Sequence, residues 1–358
     1  MGKHICLLAT GGTIACEEGA DGLRPVLTGA ELLRAVPELA RCGEIDVIEL
    51  CSLDSSNLLP MHWQRMAQAI AERCGQYDGF VLTHGTDTMG YTAGALYYML
   101  RGIGVPVALT GSMLPLTAAG TDARANLRGA FAVAASGRAG VYQAFAGRVI
   151  SGNAVKKVDS TARDAFRSIG RPQAGTFALA DGALTWQVSE EAQPQAGTAP
   201  QAETVPRAEM QSQAGASGAS QAQAAPQEGP DAGTQVAFAP RFALDERVAV
   251  VKLVPGAEPR LLTALADAGY RAVIIEGYGA GGVPTAASPK NFLPAIAALR
   301  ARGVRVICAT QCTTGGVHLD TYEMGVLAAR CGAESAGDLP LEALVPKTML
   351  ELAREGGR

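Results

Sequence analysis

Ile5-Cys6-Leu7-Leu8-Ala9-Thr10-Gly11-Gly12-Thr13-Ile14-Ala15 is the stretch whose reading decides the fold. Residues 5–9 form an unbroken apolar run, the pattern of a strand covered on both faces. Gly11 and Gly12 follow at once, permitting a sharp turn and leaving room for a ligand to approach the main chain. Thr13 is thereby delivered to the carboxyl end of a strand, the edge at which open α/β sheets bind their ligands. A hydroxyl in that place is either a nucleophile or a piece of turn chemistry, and the stretch alone leaves both open.

The same unit recurs along the chain. Residues 45–50 read as a strand that ends in Cys51-Ser52-Leu53-Asp54-Ser55-Ser56-Asn57, and residues 79–83 as one that feeds His84-Gly85-Thr86-Asp87-Thr88-Met89. Residues 105–109 end at Thr110-Gly111-Ser112-Met113, and a further strand lies within 140–147. Helices are expected over 29–36, 61–76, 91–100 and 124–135. The first opens on the capping-box spacing Thr28…Glu31 and stops ahead of Pro37. Residues 16–25, rich in Glu and Gly, read as a mobile loop. Strand and helix alternate, with polar loops after the strands, which predicts a doubly wound, mostly parallel sheet.

From residue 189 to about 235 the chain turns to Gln, Ala, Pro, Gly, Ser and Glu, too little apolar surface to offset ordering entropy. It reads as a disordered linker or inserted loop, and nothing specific supports a partner-binding tail. Alternation resumes with strands at 247–253, 272–276 and 304–308 and helices at 259–268, 292–301, from 322 and from 341. The organisation expected is an α/β N-terminal catalytic domain over 1–188, the insertion over 189–240, and a smaller parallel α/β domain over 241–358.

Composition narrows the function. A chain of 358 residues suits two domains, and 48% apolar with 18% charged residues describes a soluble globular protein. A net charge of −4 without a long basic run argues against a nucleic-acid partner. No apolar run approaches the ~20 residues that span a bilayer. The run after Lys3 and His4 is also too short for a secretory signal. Eight cysteines without a Cys-x-x-Cys read as reduced thiols in a cytoplasmic protein. Cys308 and Cys312 have no other soft ligands nearby, so no metal is expected. Residues 279–282 lack the order of a dinucleotide loop, and no cofactor is expected.

Thr13, Asp54-Ser55-Ser56, Thr86-Asp87 and Ser112 all follow strand ends, so a parallel sheet brings them to one crevice. That crevice holds hydroxyls and acids, with little positive charge before Lys157, and suits a small zwitterion better than a phosphate. Each set also has a plain structural reading. Thr13 is a turn residue, Asp87 a helix cap, Asp54 the head of an Asx turn, and Lys157 a solvated lysine beside Lys156. His84 has no triad arrangement around it and reads as structural.

Residues 9–15 together with Asp78-Gly79-Phe80-Val81-Leu82-Thr83-His84-Gly85-Thr86-Asp87-Thr88-Met89 resemble the two signature motifs of the bacterial-type L-asparaginases. The resemblance runs on through residues 53–56, 109–112 and 152–166. Glu276-Gly277-Tyr278-Gly279-Ala280-Gly281-Gly282-Val283-Pro284 and Thr310-Gln311-Cys312 look like the cytoplasmic, type I branch. It implies that Thr13 attacks the side-chain amide of L-asparagine, giving an acyl-enzyme, ammonia and finally L-aspartate. Thr86, Lys157 and Asp87 would form the hydroxyl–lysine–acid relay, with Lys157 neutral at least transiently, a form that burial favours. The spacing from Gly152 and to Phe166 favours Lys157 over Lys156.

Asp87 can pair with the substrate ammonium. Asp54, Ser55, Ser56 and Gly85 match the segments that hold the carboxylate and ammonium, with Ser112 and Thr86 in the same crevice. Main-chain donors in the Gly85-Thr86 and Gly11-Gly12 turns suit the oxyanion. The resemblance also implies a homodimer or homotetramer in which a neighbour's second domain lies beside each site. One position departs from it: where many members carry a loop tyrosine that assists the threonine, this chain has Leu23. Rival readings are an asparaginase-like subunit of a tRNA-dependent amidotransferase, another amidohydrolase, and a non-catalytic amino-acid sensor. Such subunits usually carry an extra domain ahead of the Gly-Gly-Thr strand, and Thr13 lies too near the start of the chain to follow one.

Overall fold

The computed structural model describes residues 2–20, 22–180, 183–189 and 237–356. In chain order the first part holds β1 (His4–Gly11), β2 (Cys16–Gly19), β3 (Gly22–Pro25), α1 (Gly29–Ala35), β4 (Glu44–Leu53) and α2 (Pro60–Ala71). Then come β5 (Gly79–Thr83), α3 (Met89–Met99), β6 (Pro106–Thr110), α4 (Ala123–Ala135), β7 (Gly140–Phe145) and β8 (Arg148–Ser151). The part closes with β9 (Val155–Lys157), β10 (Phe166–Ser168), β11 (Gly175–Ala180) and β12 (Ala183–Val188).

Eight of these strands make one sheet in the order β12-β11-β8-β7-β6-β5-β1-β4. β4, β1, β5, β6 and β7 are parallel neighbours. The two-faced burial read from β1 is visible in its side chains. Cys6 and Leu8 pack into one core with Trp63, Met66 and Leu96, while Ile5 and Leu7 pack into the other with Leu32, Leu127 and Phe131. Helices therefore cover both faces, the arrangement that a continuous apolar strand requires.

Two local expectations change. The far side of the sheet is antiparallel through β7–β8, β8–β11 and β11–β12: β7–β8 and β11–β12 are joined by tight hairpin connections, and the stretch between β8 and β11 carries the small β9–β10 pair instead of the crossover helix that parallel neighbours need. Residues 16–25 are a hairpin rather than an irregular loop: β2 and β3 pair from Cys16↔Pro25 to Gly19↔Gly22. Its polar composition hides a strand pair that has one face in water. The capping box that opens α1 is present, with the Thr28 side chain and Glu31 exchanging bonds to each other's backbone N–H.

The second part holds β13 (Val248–Lys252), α5 (Arg260–Asp267), β14 (Ala272–Gly277), α6 (Leu293–Ala301), β15 (Arg305–Thr310), α7 (Glu323–Arg330), β16 (Ala333–Ser335) and α8 (Leu341–Glu355). Its four strands form a parallel sheet in the order β13-β14-β15-β16 around a core of its own. α8 docks against α3 of the first part, so closely that a Cβ on Gly94 would lie 2.7 Å from the Glu342 carbonyl oxygen. The expected linker falls mostly on residues 190–236, outside the described residues. No helix among the described residues is long and apolar enough to cross a membrane.

Candidate active site

Close packing of glycines joins the ends of β1, β4 and β5. Gly12 has φ 80°, and a Cβ there would stand 2.3 Å from the Gly85 nitrogen. A Cβ on Gly11 would stand 2.5 Å from the Leu53 nitrogen, and one on Gly85 2.6 Å from the Ser55 Oγ. Real side chains cannot approach backbone this closely, so the three loops meet only because these positions are glycine. Two backbone bonds complete the seam, Gly12 N–H to Leu53 O at 3.0 Å and His84 N–H to Thr110 O at 2.8 Å.

Thr13 opens a 3-10 turn over Thr13–Ala15, anchored by buried Ile14 and Ala15. It is half-buried, and among the described residues no hydrogen bond engages its hydroxyl. The turn is also fixed from the loop after β6, where Leu116 N–H donates to the Ile14 carbonyl. Thr13 is thus held by its backbone while its hydroxyl stays uncommitted.

The second set divides its work. Asp54 accepts from the Ser56 N–H at 2.8 Å, so its carboxylate heads a turn. Ser55 is buried and ties this loop to the next, its carbonyl accepting from the Thr88 hydroxyl at 2.8 Å. Ser56 is exposed. Ser112 is fully buried, and its hydroxyl donates to the Leu114 carbonyl. Asp122 and Asn126, which the spacing argument passed over, pin this loop. The Asp122 carboxylate accepts from the Met113 and Leu114 N–H groups at 2.9 and 3.1 Å. The Asn126 amide donates to the Gly111 carbonyl at 3.0 Å. A buried polar side chain on the apolar face of α4 was the available signal.

Thr86, Asp87 and Lys157 meet directly. Lys157 Nζ donates to Thr86 Oγ1 at 2.9 Å and to Asp87 Oδ1 at 2.7 Å. The helix-cap reading of Asp87 does not apply, since Thr88 occupies the N-cap of α3. β9 separates its two lysines by strand alternation: Lys156 reaches Glu342 at 3.3 Å while Lys157 faces Thr86. The Lys157 side chain is 16% exposed and that of Asp87 61%. An ion pair open on one side contributes little stability. Its consequence is the aim of the lysine at a hydroxyl.

His84 is fully buried beneath these loops. Its Nδ1 lies 2.7 Å from the Gly85 carbonyl oxygen and its Nε2 2.7 Å from Thr92 Oγ1, which also accepts from Trp63 Nε1 at 3.0 Å. Burial pushes its pKa from 6.5 down to about 4. Between those values the unfolded chain binds a proton that the folded protein refuses, so this contribution is complete above pH 6.5 and fades as pH falls towards 4. Linkage makes the full span worth roughly 3 kcal/mol. Denaturation across pH 4–7 is expected to show stability falling on acidification, with a flatter profile in His84→Asn; equal slopes would contradict this.

Leu23 sits on β3 opposite Glu18 and is 56% exposed. The hairpin brings no hydroxyl at this position. Among the described residues no cluster of His, Cys, Asp or Glu could hold a metal ion.

Comparison with known proteins gives two family matches: "Asparaginase, N-terminal" over residues 4–190 and "Glutaminase/Asparaginase C-terminal domain" over residues 247–357. An L-asparaginase from Thermococcus kodakarensis is 33% identical over 349 residues, 97% of this chain and 92% of its own length. The solved structure of the thermostable L-asparaginase from that organism has a TM-score of 0.78 at 32% identity, covering 98% of this chain and 93% of that one. L-asparaginase I from Vibrio cholerae superposes with a TM-score of 0.76 at 26% identity, covering 99% and 94%. One subunit of a glutamyl-tRNA(Gln) amidotransferase from Pyrococcus furiosus is 31% identical over 357 residues, 96% of this chain and 69% of its own length.

Proposed function

The chain belongs to the asparaginase family and is an amidohydrolase, and from that premise we propose that it hydrolyses L-asparagine to L-aspartate and ammonia with Thr13 as nucleophile. The observation that carries the reading is the set of bonds from Lys157 to Thr86 and Asp87, on a loop whose Gly85 packs against Gly12, the residue before Thr13.

Thr13 Oγ attacks the side-chain carbonyl carbon. Negative charge gathers on its oxygen beside the main-chain donors of the Gly85-Thr86 and Gly11-Gly12 turns. The C–N bond breaks, the proton given up by the Thr13 hydroxyl ends on the departing nitrogen, which leaves as ammonia, and an aspartyl ester remains on Thr13. Thr86 and Lys157 then remove a proton from the water that cleaves this ester, restoring the Thr13 hydroxyl.

The substrate's α-ammonium competes with Lys157 for the Asp87 carboxylate, so binding is coupled to the relay. Asp54, Ser55, Ser56 and Gly85 face the α-carboxylate and ammonium, and Ser112 closes the β6 side. With Leu23 on the hairpin, the help that a tyrosine would give Thr13 has to come from elsewhere.

The division into residues 1–188, 189–240 and 241–358 is supported by the two sheets and the two family matches. Eight free cysteines suit the reducing cytoplasm. A homodimer or homotetramer remains part of the reading, with the second parallel sheet of one copy beside the site of another.

The similarity to the amidotransferase supports a second reading, in which ammonia passes to a partner instead of to solvent. Ammonia release by the isolated protein on L-asparagine, glutamine and D-asparagine separates the two. Steady release from L-asparagine without any added component is expected. Ammonia only in the presence of a partner and charged tRNA would favour the amidotransferase reading, and asparagine binding without ammonia would favour a sensor.

A further inference from the structure

We infer that His84 is a positioning residue for this reaction: through its bond to the Gly85 carbonyl it aims the Thr86 backbone N–H into the crevice as an oxyanion donor. The inference rests on the proposed amide hydrolysis and adds a residue to it.

The direction of each bond follows from donor counting. The Trp63 indole can only donate, so Thr92 Oγ1 accepts from it at 3.0 Å. The single Thr92 hydroxyl proton is then free for His84 Nε2, 2.7 Å away. The Gly85 carbonyl oxygen, 2.7 Å from Nδ1, can only accept, so the ring proton sits on Nδ1 and Nε2 is the acceptor of the Thr92 hydroxyl. The chain Trp63→Thr92→His84→Gly85 is satisfied in one direction only, and a neutral imidazole completes it. Burial, which holds His84 well below its ordinary pKa, keeps it neutral.

The peptide that joins Gly85 to Thr86 is planar and trans, so its C=O and N–H point to opposite sides. Anchoring the carbonyl on the buried side turns the Thr86 N–H away from His84, towards the loops that carry Thr13. Among the described residues none accepts a hydrogen bond from that N–H, although Thr86 is only 6% exposed. A buried, unpartnered donor is costly in an idle site and useful where an oxyanion will form. Gly12 packs from the other strand end against the preceding peptide, His84–Gly85, which fixes the backbone that leads into this one.

Three substitutions of His84 and one of Thr92 test this. Asparagine places an amide N–H where Nδ1 stood, glutamine places one where Nε2 stood, and leucine supplies neither. His84→Leu and His84→Gln are expected to lower kcat about 10- to 100-fold with KM within about threefold, the scale of a misaimed oxyanion donor. His84→Asn is expected to recover most of kcat although it leaves the larger cavity and the lower melting temperature. Thr92→Val removes the donor to Nε2 but leaves the Gly85 carbonyl to hold the ring proton on Nδ1, so kcat is expected to stay within about twofold while the melting temperature falls, which separates lost stability from lost positioning.

Three outcomes would overturn the inference: kcat within about twofold of the parent in His84→Leu, kcat that tracks melting temperature across the series with Thr92→Val included, or a loss confined to KM. Thr13→Ala measured alongside keeps the two claims apart. Activity surviving in Thr13→Ala would defeat the nucleophile assignment, whatever the His84 series shows.

Discussion

Replacing Thr13 with alanine is expected to lower kcat for L-asparagine by at least about a thousandfold and to leave the fold intact. The hydroxyl is bound to nothing among the described residues, and the turn that carries it is held by Ile14, Ala15 and backbone bonds. Removing an unbonded, half-buried hydroxyl therefore costs little stability, well within the spread of ordinary surface substitutions. Thr13→Ser keeps an oxygen in place and is expected to retain a measurable part of the rate. The check is steady-state kinetics beside a thermal melt: lost activity with an unchanged melt is the expected pair.

The second large effect belongs to Lys157. Lys157→Met keeps most of the apolar stem and removes the ammonium that contacts Thr86 and Asp87. The expected loss is about 10²- to 10⁴-fold in kcat, the range of general acid–base catalysis. Little stability should go with it, because Asp87 is largely in water and is not left as a buried charge. Lys156→Met is the matched control. Its partner Glu342 lies on the docked helix α8 with a side chain only 12% exposed, so this change should loosen the contact between the two parts and spare kcat. A pair of variants with the opposite pattern, Lys156 essential and Lys157 dispensable, would overturn the relay.

Much of the fold could be read from residues 5–15 because a strand buried on both faces writes itself as an unbroken apolar run, and its consequence is helices on both sides. The parallel ladder β4-β1-β5-β6-β7 and the helices between its strands follow from repeats of that unit. Patterns with weak apolar content were not legible in the same way. The hairpin β2–β3 is short and faces water, and its Glu and Gly content resembles that of a loop. The antiparallel edge formed by β8, β11 and β12 has no α-helix between its strands, so the strand–helix alternation that marks a parallel sheet is missing there.

Within the site, residues adjacent to strand ends could be grouped from spacing alone, since a parallel sheet puts those ends on one edge. Lys157 was legible only through its surrounding block, because a lysine beside a lysine carries no sign of which one faces inward; strand alternation decides that in three dimensions. The His84 chain was illegible for a different reason. Its members come from α2, the loop after β5 and α3, and Trp63 and Thr92 stand 29 residues apart with nothing in either helix to announce the pair. Hydrogen bonds between distant buried side chains leave no periodic trace.

The account turns on a covalent bond to Thr13, and rapid acid quenching during turnover tests it most directly. Protein mixed with excess L-asparagine, quenched within one turnover and digested, should carry a mass increase of one aspartyl group on the peptide that contains Thr13. Lys157→Met, in which cleavage of the ester by water is impaired, is expected to hold more of this adduct if the first step still proceeds. An adduct on the peptide containing Thr86 instead, or undiminished turnover in Thr13→Ala, would contradict the account.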